Sequence, residues 1–309
     1  LTACGGSGSD SDEDKKPPVA ENKSPTVSIS SDETLTEGSE LTLLATATDS
    51  DGTISTYAWS QISGPDLALS GSDSSSLTIT APAIEDDADV VLSVTVTDDD
   101  GATANAQVTI QLKRKVLSVT ITGIVTDEPI INSNVAVQIG DELFEITADE
   151  QGRYRVDVEV DDSFANKLVK LVAQGDNAIN PGVEFVSQLK SIATLISQAG
   201  EDGTLSKEEN FGVNITNVST AEFALISRDN DTVDSEDALD KALLAIDADE
   251  KLLLSALIKI IVDNPDYSLP EGVESTLDLV SDSEGIDDFI NTVNSQDPAL
   301  IETVKETIK

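Results

Sequence analysis

The chain has no histidine and no methionine, and only one cysteine, among its 309 residues. Ser-His-Asp and Cys-His catalysis and a histidine-ligated zinc all need residues that are missing, so those chemistries are excluded. The lone cysteine, Cys4, cannot close a disulfide within the chain. Aromatic residues make up 3%, with one tryptophan and three tyrosines. A glycosidase needs two carboxylates across a cleft lined with sugar-stacking rings, and so few rings argue against such a cleft. The expectation is a protein that is not an enzyme. No stretch of 18 apolar residues occurs, so no transmembrane helix is expected. Basic residues are scarce too: 18 Lys and Arg stand against 59 Asp and Glu, a net charge of −41. Such a chain repels nucleic acid and anionic head groups. It attracts cations, calcium above all, through carboxylate oxygens. The charge is spread along the chain and equally suits solubility in a salty medium.

What is plentiful is Val, Ile, Leu and Ala, and hydrophobic residues total 39%. That supports folded β and α segments rather than wholesale disorder. At about 150 residues per domain, the length predicts two or three domains.

The chain opens Leu1-Thr2-Ala3-Cys4, then Gly5-Gly6-Ser7-Gly8-Ser9 and a run of acids to Asp14. A single thiol in such a tail has no packing role. The tetrapeptide resembles the lipobox of bacterial lipoproteins; the alternative is a chance cysteine in a tail. The resemblance implies cleavage before Cys4, a covalent diacylglycerol on its thiol, and attachment to a membrane through that lipid. Gly5 stands where the Asp linked to inner-membrane retention would be. That implies an outer-membrane protein, at the cell surface or the periplasmic face. Residues 5–25 read as a linker, flexible first and stiffer at Pro17-Pro18. Fully extended, it reaches on the order of 65 Å.

Residues 26–113 carry seven short alternating segments with turn signals between them, the pattern of an immunoglobulin-like β-sandwich. Trp59 sits mid-strand as a core residue. Asp49-Ser50-Asp51-Gly52-Thr53-Ile54, Tyr57-Ala58-Trp59-Ser60-Gln61 and Ser63-Gly64-Pro65 resemble a PKD-like domain, as does Leu92 to Gly101 near its end. The Gly-Asp-Gly turn that follows the Trp in one subtype is absent. The resemblance implies an extracellular binding or spacer module without catalysis. Asp49 and Asp51 group hard oxygens on a turn, as calcium requires, and so do Asp98 and Asp100. Asp and Gly are also simply what turns prefer. Some PKD-like domains hold calcium near the first linker and this Asp turn, so Asn22, Asp49, Asp51, Asp98 and Asp100 are the candidate structural calcium ligands. The two turns lie at either the same or opposite ends of the sandwich. Lys113-Arg114-Lys115 reads as a solvated hinge.

Residues 116–175 read as a second, smaller β unit, with hairpin-like turns at Gly140-Asp141 and Asp149-Glu150-Gln151-Gly152. Gly123 to Asp127, Asn134 to Val137 and Thr147 to Tyr154 resemble the transthyretin-like fold of carboxypeptidase regulatory-like domains, a resemblance that implies a second noncatalytic module. From residue 183 the apolar spacing becomes helical, with Phe185, Leu189, Ile192 and Ile196 on one face. Ser219-Thr220-Ala221-Glu222 reads as a capping box. Residues 252–262 should form the most buried helix, stopped at Asn264-Pro265. Asp229 to Asp234 begins like an EF-hand loop, but Asp234 replaces its glycine and Asp240 its final Glu. An acidic helix start is the better account.

The expected whole is a multidomain chain, β then α. A linker (1–25) leads to an immunoglobulin-like sandwich (26–113), a small transthyretin-like sandwich (116–175) and an α-helical domain (183–309). The leading functional expectation is a noncatalytic, surface-anchored lipoprotein that displays modules for a protein or glycan partner, in adhesion or envelope organisation. Two others stand beside it: an appendage subunit that self-assembles by strand exchange, and an accessory polysaccharide-binding protein of a degradative system.

Overall fold

A computed structural model describes residues 21–30, 33–126, 130–228 and 233–308. The chain divides into two compact units, Leu1–Lys115 and Val116–Lys309.

The first unit is all β. Its strands are β1 (Thr26–Ile29), β2 (Glu33–Thr36), β3 (Glu40–Thr48), β4 (Ile54–Ser63), β5 (Ala68–Ser70), β6 (Ser76–Thr80), β7 (Ala88–Asp98) and β8 (Thr103–Lys113). They form two four-stranded sheets, ordered β1-β3-β6-β5 and β2-β8-β7-β4. Alternate residues of both sheets, among them Leu43, Leu77, Ile79, Leu92, Val94, Ile110 and Leu112, share one core. Alternation is the reason: in a strand every second side chain reaches the same face. Trp59 is 6% exposed within that core. Its indole N–H donates to the Ser74 carbonyl at 2.9 Å, so burial leaves no donor unpaired. One strand was not foreseen. β2 runs parallel to β8, and with Leu35 as its one apolar residue it shows no alternation.

The second unit begins with β9 (Val116–Ile124), β10 (Asn134–Ile139), β11 (Glu142–Thr147), β12 (Arg153–Asp161) and β13 (Leu168–Gln174). The next element, β14 (Glu184–Ser191), differs from the expected helix. Phe185 and Leu189 are four apart, a spacing that suits both a helix and one face of a strand. Alternation is blurred because β14 is buried on both faces, with Val186 and Ser187 buried as well. Only at Ser191, which caps the helix α1 (Ile192–Ala199), does the helical period begin. After the two-residue β15 (Thr204–Leu205) come α2 (Asn217–Ser227), α3 (Glu236–Ala245), α4 (Ala248–Asp263), α5 (Thr276–Ser281), α6 (Ser283–Gln296) and α7 (Leu300–Ile308). The sheets are β11-β10-β13-β14 and β12-β9-β15.

Helix starts obey capping chemistry, one turn from where the sequence pattern put it. The capping box of α2 is Thr216 with Ser219, so Ser219 is its far member and not its cap. α4 buries Leu254, Ala256, Leu257, Ile258 and Ile260. It ends at Asn264, ahead of Pro265.

The largest departure concerns domain boundaries. The strand region 116–175 and the helical region 183–309 share one core cluster. It runs from Ile121, Val137 and Leu171 through Phe185 to Leu257, Leu279 and Phe289. The reason lies in β14. It completes the sheet begun by β10, β11 and β13 and lies against α2 and α5. A boundary at 175–183 would cut that sheet.

The free edge of β14 is closed by hydroxyls. Thr276 Oγ1 accepts from Glu184 N (2.9 Å) and donates to the Glu184 carbonyl (2.6 Å). Thr220 Oγ1 accepts from Val186 N at 3.0 Å, and Ser219 Oγ donates to the Val186 carbonyl at 2.8 Å. Side chains from two helices thus stand in for a neighbouring strand, which buried backbone groups require.

Candidate functional site

The strand registers bring both acidic turns to one end of the first unit. β1 pairs with β3 so that Thr26 faces Thr48. Residues 21–25 therefore arrive beside the turn that follows β3. β4 pairs with β7 so that Ile54 faces Asp98. The Asp49–Gly52 turn therefore lies beside the Asp98–Gly101 turn.

Hydrogen bonds tie the three segments together. Asn22 Nδ2 donates to Asp98 Oδ2 at 3.0 Å, and Lys23 N donates to Asp51 Oδ2 at 3.2 Å. Thr53 N donates to Asp99 Oδ1 at 2.7 Å. Asp98 Oδ1 accepts from Asp100 N (3.0 Å) and Ala102 N (2.8 Å). Asp98 is only 2% exposed, so its carboxylate organises the second turn from inside. Asp100 is exposed and gives its backbone N–H to Asp98. Asp99, between them, was not singled out from the sequence. It is the residue that reaches the first turn, and only the strand register could have marked it.

Gly52 is the hinge between the carboxylates. A Cβ there would lie 2.5 Å from Asp99 Oδ1 and 2.7 Å from Asp49 Oδ2. A side chain there would have to push one of these carboxylates aside. Both carboxylate oxygens of Asp49 are buried with no hydrogen-bond partner among the described residues. A buried carboxylate without a donor is costly, so this position suits a bound cation. No three acidic groups among the described residues already converge as a metal cage. The hard-oxygen chemistry of the set still fits calcium.

Burial pushes the Asp98 carboxyl up, but Asn22 and the backbone N–H groups of Ala102, Gly101 and Asp100 outweigh it and hold the group below its ordinary value of 3.8. A carboxyl held down in this way contributes stability that is complete above pH 3.8 and is lost as the pH falls below it. Asp98→Asn removes the titration. The expected result is a flatter acid limb for the first unit, with a lower denaturation midpoint at neutral pH. Urea unfolding followed through Trp59 at neutral and acid pH measures both.

The remaining sequence candidates fall elsewhere. Cys4 lies outside the described residues, as do Asp229 to Thr232 of the EF-hand-like stretch. Asp240 pairs with Lys190 at 3.0 Å, so it lies within α3 as an ion-pair partner and not as a loop ligand. Lys113 pairs with Asp87 at 2.8 Å, and Asp87 also accepts from Arg114 N at 2.9 Å. The basic cluster is thus partly tied to the end of the first unit.

Residues 30–112 match the family model described as K319L-like, PKD domain. These residues have a PKD-like, immunoglobulin-like fold. Among solved structures, the chain is similar to a nucleoside hydrolase-related hypothetical protein from Saccharophagus degradans associated with carbohydrate metabolism. The identity is 21% over 30% of this chain and 26% of that one, with a TM-score of 0.28. The PKD1 domain of Vibrio anguillarum Epp matches at 26% identity over 30% of this chain and 98% of its own, with a TM-score of 0.24. The PKD1 domain of the Vibrio cholerae metalloprotease PrtV matches at 25% identity over 29% and 99%, with a TM-score of 0.23. The chain therefore spans about a quarter of the length of the first of these proteins. No curated protein matches it. The PKD-like domain contains both acidic turns, while Asn22 lies in the segment before it.

Proposed function

We propose that this chain is a noncatalytic lipoprotein of the outer membrane that displays binding modules on a tether. The observation that carries the reading is the PKD-like domain at residues 30–112, set behind a cysteine and a Gly, Ser and Asp linker. In this reading the diacylglycerol on Cys4 holds the membrane and the linker supplies reach. The strands of residues 116–175 serve as a transthyretin-like module that supports the helices. A protein or glycan partner is the target, and no reaction is catalysed. Protease shaving of intact cells, with fractionation of a Cys4→Ser variant, tests it. The expected result is cleavage at the surface and loss of the variant from the membrane fraction. A protein spared on intact cells, or a variant retained as fully as wild type, overturns the reading.

Calcium is the cofactor this reading adds. Asp49 would hold it, with Asp51, Asp99 and the Asn22 carbonyl oxygen as neighbouring donors; Asp98 is occupied by its own hydrogen bonds. The ion would supply charge neutralisation and a link between the linker and both turns. In chelator, Asp49→Asn should match or exceed wild-type stability, because it removes an unpaired buried charge. In calcium the order should reverse, with wild type gaining about 2.7 kcal/mol at a hundredfold excess over Kd. A Trp59 unfolding midpoint that calcium leaves unmoved refutes the site.

A further inference from the structure

Every sheet edge invites pairing with another chain unless something blunts it. Among the described residues the sheets have eight edge strands, and seven are blunted in recognisable ways. β1, β2, β5 and β15 are short, with four, four, three and two residues. β4 is broken by two register shifts. β12 turns a charged row outward, with Arg153, Arg155, Asp157 and Glu159 exposed. β14 has its free backbone groups taken by Thr220, Thr276 and Ser219.

β11 carries two exposed acids, Glu142 and Glu145, but no alternating charged row, no break and no cap. It is six residues long and pairs with β10 along its whole length without a shift. It contains no lysine, arginine or proline. Among the described residues its backbone makes no hydrogen bond beyond those to β10. Five of its residues are exposed, including Leu143 at 56% and Ile146 at 39%. Phe144 and Ile146 share the inner face, and Phe144 packs only partly against the core. Leu143 and Glu145 share the outer face.

We propose that this edge receives an extended segment of another protein as an added strand. That segment has apolar residues interleaved with lysine or arginine. Backbone pairing supplies the attachment, and the alternating side chains supply the choice of partner. Charge decides the occupant. The edge carries Asp141, Glu142 and Glu145, and the whole chain carries −41. A second copy is a poor match. Two-fold antiparallel pairing centred on Glu145 sets that residue against itself. Centred on Leu143, it sets Asp141 against Glu145. Centred on Phe144, it wastes Leu143 on Glu145 and Ile146 on Glu142. Like charges opposite each other destabilise a strand pair, whereas Lys or Arg opposite Glu145 favours it. The inference deepens the reading of the chain as a binding protein; a chain that fails surface shaving yet binds at β11 loses its location and keeps this site.

The test uses the full chain and two synthetic peptides of about nine residues, one alternating Val with Lys and one alternating Val with Glu. Hydrogen exchange is followed across residues 142–147. The Val-Lys peptide should slow exchange there at least about tenfold, and the Val-Glu peptide should not. Glu145→Lys should reverse that preference. Leu143→Lys should abolish the protection without moving the melting temperature, since the side chain is exposed. Protection absent from 142–147, or equal with both peptides, overturns the proposal. So does concentration-dependent self-association of the chain alone that protects the same residues, because the occupant is then a second copy.

Discussion

Phe185→Ala is expected to lower the stability of residues 116–309 by about 3–5 kcal/mol, the usual cost of emptying an aromatic site in a core. Phe185 is fully buried and sits on β14, the strand shared by the sheet and the helices. If strands and helices were separate domains, the loss would stay on one side. Because their buried residues form one cluster, both should melt together and earlier. Circular dichroism reports that transition. The first unit carries its own reporter, since Trp59 is the only tryptophan. Its fluorescence midpoint should not move. Two separate melting steps within residues 116–309, only one of them shifted, would refute the shared core.

Gly123→Ala is expected to cost on the order of 3 kcal/mol or more. Overpacking alone costs about 1–3 kcal/mol, and a lost buried hydrogen bond adds a similar amount. A Cβ on Gly123 would overlap the Val213 carbonyl oxygen and stand 2.8 Å from Cε1 and the hydroxyl of Tyr154. Tyr154 Oη donates to that same carbonyl at 2.5 Å, and burial pushes its phenol far above the usual range. The residue fits only if the segment around Val213 moves away, and that segment is also held by a parallel bridge from Ile215 to Val125, the residue after β9. Tyr154→Phe separates the two contributions: it removes the hydrogen bond and adds no atom, so it should cost only the smaller share. A Gly123→Ala protein as stable as wild type in chemical denaturation would show that the contact is slack.

Much of this architecture is written locally. Asp-x-Asp-Gly turns, period-two strands such as β7 and β12, and the stop at Asn264-Pro265 follow from short-range rules. β14 is not local. Its two buried faces erase the alternation, and Phe185 and Leu189 satisfy two periods at once. β2 has one apolar residue, Leu35, and so no period to read. The acidic site is half legible: Asp49, Asp51 and Asp98 declare themselves by turn chemistry, but their meeting depends on registers between strands far apart in sequence. For that reason Asp99 stayed hidden in a run of three aspartates, while Asp100 drew notice for its spacing and supplies a backbone N–H. Asn22 was readable only through the family resemblance, and its bond to Asp98 spans 76 positions.

The short, parallel pairing of β2 with β8 carries a mechanical consequence. β2 lies near the start of the PKD-like domain, and β8 is the strand by which the chain leaves it. Being parallel, they have their far ends at opposite poles. Tension that enters before β2 and leaves after Lys113 acts along both strands in opposite senses. It loads the hydrogen bonds of the pair together, in shear, and does not peel them one at a time. A PKD-like domain pulled from its two ends would thus carry the load on a four-residue strand.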